Sequence, residues 1–140
     1  MTTFTIDKIR LEKLLDKIVA GRIQLPEFQR GWIWDDDHIK NLLASVSRNY
    51  PIGTIMMLET GNRELNFAAR PITGVKTENK NPDELILDGQ QRLTALFQSL
   101  YSDLPANPKE SMSTKSRKRI NRWYYMDIKK ALAPGEENIE

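Results

Sequence analysis

Residues 85–92 read Leu85-Ile86-Leu87-Asp88-Gly89-Gln90-Gln91-Arg92, an apolar run that stops at a glycine turn carrying four polar side chains. Leu93, Leu96, Phe97, Leu100 and Tyr101 then recur at helical spacing, so a strand, a turn and a helix follow from periodicity. Such a junction sets a helix N-terminus, with free N–H groups and the positive dipole end, at the carboxyl end of a strand. Two readings of the turn follow. In one, Asp88 caps the helix and Gln91 reaches back as its capping-box partner. In the other, the turn binds a ligand, because capping explains neither Gly89, which costs helix stability, nor a guanidinium at Arg92.

Working outward, Leu11, Leu14, Leu15, Ile18 and Val19 form one apolar stripe, which predicts a helix over about Ile9 to Ala20, stopped by Gly21. Ile23 and Leu25 alternate with Arg22 and Gln24 before Pro26, the pattern of a short edge strand. A second helix is predicted from about Asp36 to Asn49, with Ile39, Leu42, Leu43 and Val46 on one face, acids Asp35 to Asp37 at its start and Tyr50-Pro51 at its end. The continuous apolar run in Thr54 to Leu58 reads as a central strand buried on both faces. Glu64 to Phe67 follows the Thr60-Gly61-Asn62 turn as another strand, Lys76 to Asp83 reads as an exposed loop, and Arg122 to Ile128 as a last strand. Ala133 to Glu137 reads as a loop and Glu136 to Glu140 as a tail. Helices separated by short strands predict an α/β (α+β) fold, a small mixed sheet flanked by helices.

The 140 residues fit one domain, with a core over about 9–108, a basic connector over 109–122 and a final strand and tail over 123–140. No apolar run approaches the ~18 residues of a membrane span, and no secretory signal opens the chain, so a cytoplasmic protein without membrane partners is expected. The absence of cysteine excludes disulfides and thiolate chemistry, and the single histidine, His38, excludes a multi-histidine metal site within this sequence. Any metal would need oxygen ligands. The net charge of +2 conceals a segment, Lys109 to Arg122, with six basic residues against one acid, Glu110. Lys115, Arg117, Lys118, Arg119 and Arg122 are therefore candidate DNA contacts, the alternative being a solvated loop or helix face.

Gln29-Arg30 and Gln90-Gln91-Arg92 are similar polar groups placed after turns, and their convergence would build one site. Arginine offers a planar donor fork for phosphate oxygens, glutamine can donate and accept, and Asp88 could ligate Mg²⁺ or orient a water. The competing explanation pairs Arg30 with Glu27 or Asp35 at the surface. Trp32 and Trp34, two apart, are expected to point together into the core. Asp35, Asp36 and His38 read as a capped helix start, with a metal site the alternative.

Ile23-Gln24-Leu25-Pro26-Glu27-Phe28-Gln29-Arg30 with Trp34, then Tyr50-Pro51-Ile52-Gly53, then Leu87-Asp88-Gly89-Gln90-Gln91-Arg92-Leu93-Thr94-Ala95-Leu96, resembles the ParB/sulfiredoxin-like N-terminal domain of GmrSD-type restriction and phage-defence proteins. The likeness covers about Ile9 to Tyr101, with Tyr124 to Leu132 also similar; Phe28 stands where members often carry tyrosine. The resemblance implies a ParB-like fold that binds and hydrolyses a nucleoside triphosphate, GTP or ATP, with Mg²⁺. Gln29, Arg30, Asp88, Gly89, Gln90, Gln91, Arg92 and Thr94 would hold the nucleotide. Asp88, Gln91, Arg92 and Arg30 would carry the catalysis, Asp88 also holding the metal. It further implies the front part of a longer protein, a DNA target and a nuclease domain or subunit of the His-Asn-His type. A non-catalytic DNA-binding module, or one that docks a nuclease partner, is the alternative.

Overall fold

The computed structural model describes residues 4–61, 67–108 and 118–133. Helix α1 (Leu11–Val19) buries Leu14, Leu15 and Ile18, the stripe anticipated from spacing. The chain turns at Gly21, whose φ of +69° suits glycine and whose hydrogen faces the Thr77 side chain. Strand β1 (Ile23–Pro26) follows, then helix α2 (Asp36–Ser47), strands β2 (Met56–Glu59), β3 (Ala69–Arg70) and β4 (Glu84–Asp88), helix α3 (Gln90–Leu96) and helix α4 (Ile128–Leu132). A π-helical turn, Phe97–Tyr101, continues α3 directly. The strands make one sheet in the order β2-β4-β1-β3, with β1 and β4 parallel and the outer pairings antiparallel. The fold is thus α/β with a small mixed sheet, as expected. No helix among the described residues is long and apolar enough to cross a membrane.

Two strands exchange the places that their sequences predict. β1, expected at an edge, lies between β4 and β3 and is buried along its whole length. The polar Gln24 that made its pattern look half-solvated is 1% exposed and donates to the carbonyls of Gly21 (2.9 Å) and Asn79 (2.6 Å). A buried amide with bonded donors loses little by leaving water, so a polar letter can sit in a central strand. β2, expected at the centre, pairs only with β4 among the described strands, and its Met56 is 47% exposed. A register shift between Met56 and Met57 sits where the apolar run meets the sheet edge.

The expected last strand is also corrected. Arg122 makes a single bridge to Ala106, and Ile128 opens α4 behind the N-cap Asp127, whose carboxylate accepts from the Lys130 N–H. Side-chain bonds rather than a ladder fasten this stretch. The Tyr124 hydroxyl donates to Asp36 Oδ1 at 3.0 Å, and Arg122 Nε lies 3.4 Å from the same oxygen. Burial first, then the bond to Asp36, push the Tyr124 hydroxyl well above its ordinary range. Phe67 lies outside any strand, and β3 begins two residues later. Residues 62–66 of the predicted 64–67 strand, Lys109, Lys115, Arg117, and the predicted loop and tail from 134 onward lie outside the described residues.

The core gathers Leu14, Leu15 and Ile18 of α1 with Ile23 and Leu25 of β1, Trp32 of the irregular segment after it, Ile39 and Leu42 of α2, Ile86 of β4 and Leu93, Ala95 and Leu96 of α3. Each leucine and isoleucine among them contributes roughly 1.5–3 kcal/mol by leaving water, so the cluster fixes the strand β4 and helix α3 that flank the Asp88 turn.

α2 begins as the sequence predicts. The Asp35 carboxylate accepts from the His38 N–H at 3.0 Å and lies 2.7 Å from His38 Nδ1. Burial works against its ionised form, but the two His38 hydrogen bonds prevail and hold its pKa below the ordinary 3.8. A depressed folded pKa means that this stabilisation is whole above the unfolded value and disappears as pH falls through the folded one. Asp35→Ala is therefore expected to lower stability by about 1 kcal/mol near neutral pH. Urea unfolding of both proteins should show that gap closing below the ordinary aspartate pKa.

Candidate functional site

The Asp88 turn and the segment after β1 meet in space. A cavity of about 190 Å³ is lined by Gln29, Arg30 and Trp34 on one side and by Leu87, Asp88, Gly89, Gln90, Gln91 and Arg92 on the other. Convergence of Arg30 with Arg92, and of the two glutamine groups, is what the sequence predicts. β1 and β4 run parallel as neighbours, so their carboxyl ends deliver both turns to the same end of the sheet. Ligand crevices in open α/β sheets form at this end.

The glutamines are fastened to backbone. Gln91, 7% exposed, donates through Nε2 to the Gly31 carbonyl at 3.0 Å, and its Oε1 accepts from the Ile33 N–H at 3.0 Å. Gln90, 6% exposed, donates to the Arg30 carbonyl. Gln29 returns the contact from the other side, donating to Leu87 O at 2.9 Å. An amide that bonds both ways to a main chain substitutes for a missing strand neighbour, so residues 29–33 are held against α3 without regular structure. Arg70, unremarked in the sequence, adds bonds to the carbonyls of Gln29 (2.8 Å) and Arg30 (3.2 Å).

The two arginines differ. Arg92 donates to the carbonyls of Ile52 (2.6 Å) and Thr54 (2.8 Å), with Asp88 Oδ2 3.6 Å from its Nη2. Gly53, at φ +95°, lets that guanidinium pass: a Cβ there would overlap Arg92 Nη1. Arg92 thus ties the Tyr50-Pro51-Ile52-Gly53 stretch to the Asp88 turn, two motifs that the sequence shows only as separate words. Arg30 is exposed and makes no ion pair among the described residues, neither with Glu27 nor with Asp35.

The capping reading of the turn is corrected. Gly89, at φ +93°, is the N-cap of α3 and no side chain caps the helix, since Gln91 is engaged by residues 31 and 33. That φ favours glycine, and a Cβ there would lie 2.5 Å from Ile55 Cδ1, so the Ile55 side chain would have to shift as well. Thr94 is placed apart from the cavity: it is 1% exposed and its hydroxyl donates to Gln90 O at 2.8 Å within the helix. Asp88 has a 74% exposed side chain at the cavity mouth.

Trp32 joins the core, its Nε1 donating to Asn107 O at 2.8 Å, whereas Trp34 is half-buried and walls the cavity. The His38 ring lies 5.4 Å from the Trp34 ring. Among the described residues no group of three or more histidine, aspartate or glutamate side chains is gathered as for a metal. Of the candidate DNA contacts, Arg119 donates to the carbonyls of Trp32 (2.9 Å) and Asn107 (3.2 Å), and Arg122 faces Asp36. Lys118 is exposed.

Gln91→Leu strands a donor and an acceptor at once, each at a cost of about 1–3 kcal/mol. Chemical denaturation should show a large loss for this variant and less than about 0.5 kcal/mol for Arg30→Ala, whose side chain is solvated.

The family model described as GmrSD restriction endonuclease, N-terminal domain, matches residues 11–139. An uncharacterized protein of Methanocaldococcus jannaschii is 38% identical over 101 residues, covering 69% of this chain and 17% of its own length. The chain spans well under two thirds of that relative. No solved structure matches it. The matched span runs from the start of α1 past α4 and takes in every wall of the cavity, and the chain belongs to the family of GmrSD restriction endonuclease N-terminal domains.

Proposed function

We propose that this chain is a nucleotide-binding, NTP-hydrolysing ParB-like regulatory domain of a DNA restriction or phage-defence system, with the phosphates in the cavity between Arg30 and the Asp88 turn. The carrying observation is that this cavity joins an uncommitted guanidinium to residues 88–92. Arg30 supplies the charged fork for phosphate oxygens. The first-turn residues of α3 line the same cavity, and N–H groups at that position lack intrahelical acceptors.

Mg²⁺ fits the site in one way. Asp88 offers a solvent-facing carboxylate, and no further metal-ligating cluster surrounds it among the described residues. Mg²⁺ is commonly held by one or two carboxylates together with substrate phosphates, so the ion would arrive with the nucleotide and be steadied by Asp88. Bound there, it would neutralise charge on the phosphates. Gln91, occupied at both ends, acts by positioning the Arg30 segment; Arg92 does the same for residues 52–54 and for Asp88. Gln29 and Gln90 each keep a side-chain carbonyl for water or ribose hydroxyl groups.

Membership of the family supports a part in a restriction system, and the activity of a full-length protein follows as part of the proposal: nucleotide state in this domain licenses a nuclease part, of the His-Asn-His type, to act on DNA. The alternative DNA grip through 109–122 is weakened, because two of its six cations, Arg119 and Arg122, bond within the fold.

Calorimetric titration tests the assignment. Arg30→Ala should weaken Mg-GTP and Mg-ATP binding by about tenfold or more, the worth of a charged hydrogen bond. Asp88→Asn should remove most of the gain from Mg²⁺. Equal affinity in wild type and Arg30→Ala would defeat the site.

A further inference from the structure

Beside the phosphate cavity lies a second hollow, of about 360 Å³, lined by Glu27, Phe28, Phe67 and Ala68. Two phenylalanines meet there edge to face, with ring centroids 5.5 Å apart, yet Phe28 is 66% and Phe67 41% exposed. Local bonds fix the arrangement. Gln29 N–H donates to Pro26 O at 3.1 Å, closing a turn with Glu27 and Phe28 at its corner, and Glu27 N–H donates to Ala68 O at 2.8 Å. The Glu27 carboxylate has no bonded partner among the described residues.

We infer that this hollow is the base subsite for the nucleotide whose phosphates occupy the first cavity, and that Glu27 selects guanine. The inference rests on the nucleotide reading above and extends it to the base. Three observations carry it. At about 190 Å³ the first cavity is smaller than the ~300 Å³ at which pockets for whole ligands begin, so the base must lie outside it. Phe28 is two residues from Arg30, a span of at most ~7 Å, which places aromatic faces within reach of a ribose bound beside that arginine. Exposed aromatic rings stack any base, and a carboxylate discriminates among them. Guanine presents two neighbouring N–H donors that a carboxylate accepts together, whereas adenine presents an acceptor there and repels it.

The test compares magnesium complexes of tripolyphosphate, GTP and ATP by calorimetry on the intact chain and on Phe28→Ala, Phe67→Ala and Glu27→Gln, with circular dichroism confirming the fold of each. GTP is expected to bind roughly tenfold or more tighter than tripolyphosphate through stacking. Phe28→Ala and Phe67→Ala should lower GTP affinity toward that of tripolyphosphate and leave tripolyphosphate unchanged. Glu27→Gln should bring GTP and ATP together. Tripolyphosphate binding as tight as GTP in the wild type, or GTP affinity indifferent to Phe28→Ala, overturns the base subsite while the phosphate cavity stands. ATP binding as tightly as GTP overturns the role of Glu27. No binding of any of the three overturns both readings.

Discussion

The site depends on main-chain groups of an irregular segment being satisfied by buried amides. Residues 29–33 have no strand or helix to take up their N–H and C=O groups, and the bonds made to them are partly buried, where an unmade one costs up to about 1–3 kcal/mol. Gln90 and Gln91 take up Arg30 O, Gly31 O and Ile33 N, and Arg70 takes up Gln29 O. The same device recurs elsewhere. Gln24 binds Gly21 and Asn79 carbonyls, while Gln98 donates to Thr73 O and accepts from Asn107 N–H. Glutamine suits the task because its amide donates and accepts without carrying a charge that burial would penalise.

This economy explains which parts of the molecule could be read from its letters. Helices α1 and α2 were legible because stripe, cap and stop all agree: Leu14, Leu15 and Ile18 inward, Asp35 at the start of α2, Gly21 after α1. The strand–turn–helix at 85–96 was legible from its apolar run, its glycine and the helical stripe, although its capping was not. Strand order was not. Gln24 makes β1 look half-wet, and only the carbonyls of residues 21 and 79, distant in sequence from one another, reveal that it is buried. The run at 55–58 looks interior, but apolar letters record what a strand tolerates rather than how many neighbours it has. The stretch from 122 to 128 is rich in β-forming aromatics, yet Asp36 supplies partners for Arg122 and Tyr124 that no ladder offers.

The lining of the cavity was legible, and the contacts of its side chains were not. Gln29, Arg30 and residues 88–92 do share a cavity, and parallel pairing of β1 with β4 is the physical reason. The sequence treats Gln90, Gln91 and Arg92 as equivalents of Gln29 and Arg30, because a side chain's chemistry is the same whether it faces a ligand or a carbonyl. Only contacts separate them. Arg70 left no signal in the sequence and Gly53 only a faint one, a glycine after Pro51-Ile52 that does not name its partner.

Committed and uncommitted groups therefore divide the electrostatics of the cavity. Arg92 cannot turn toward an anion without breaking bonds to Ile52 and Thr54 carbonyls, and Asp88 at 3.6 Å offsets much of its field. Arg30 is solvated and bound to nothing among the described residues, so it can reorient at the cost of side-chain entropy alone. On the proposed reading, an incoming triphosphate would meet one mobile cation, backed by a fixed pair of nearly balanced charge. Asp88 by itself would repel that anion. A divalent cation held by Asp88 would reverse the sign of this interaction, so on the proposed reading Asp88 would suit the site when the metal arrives with the phosphates.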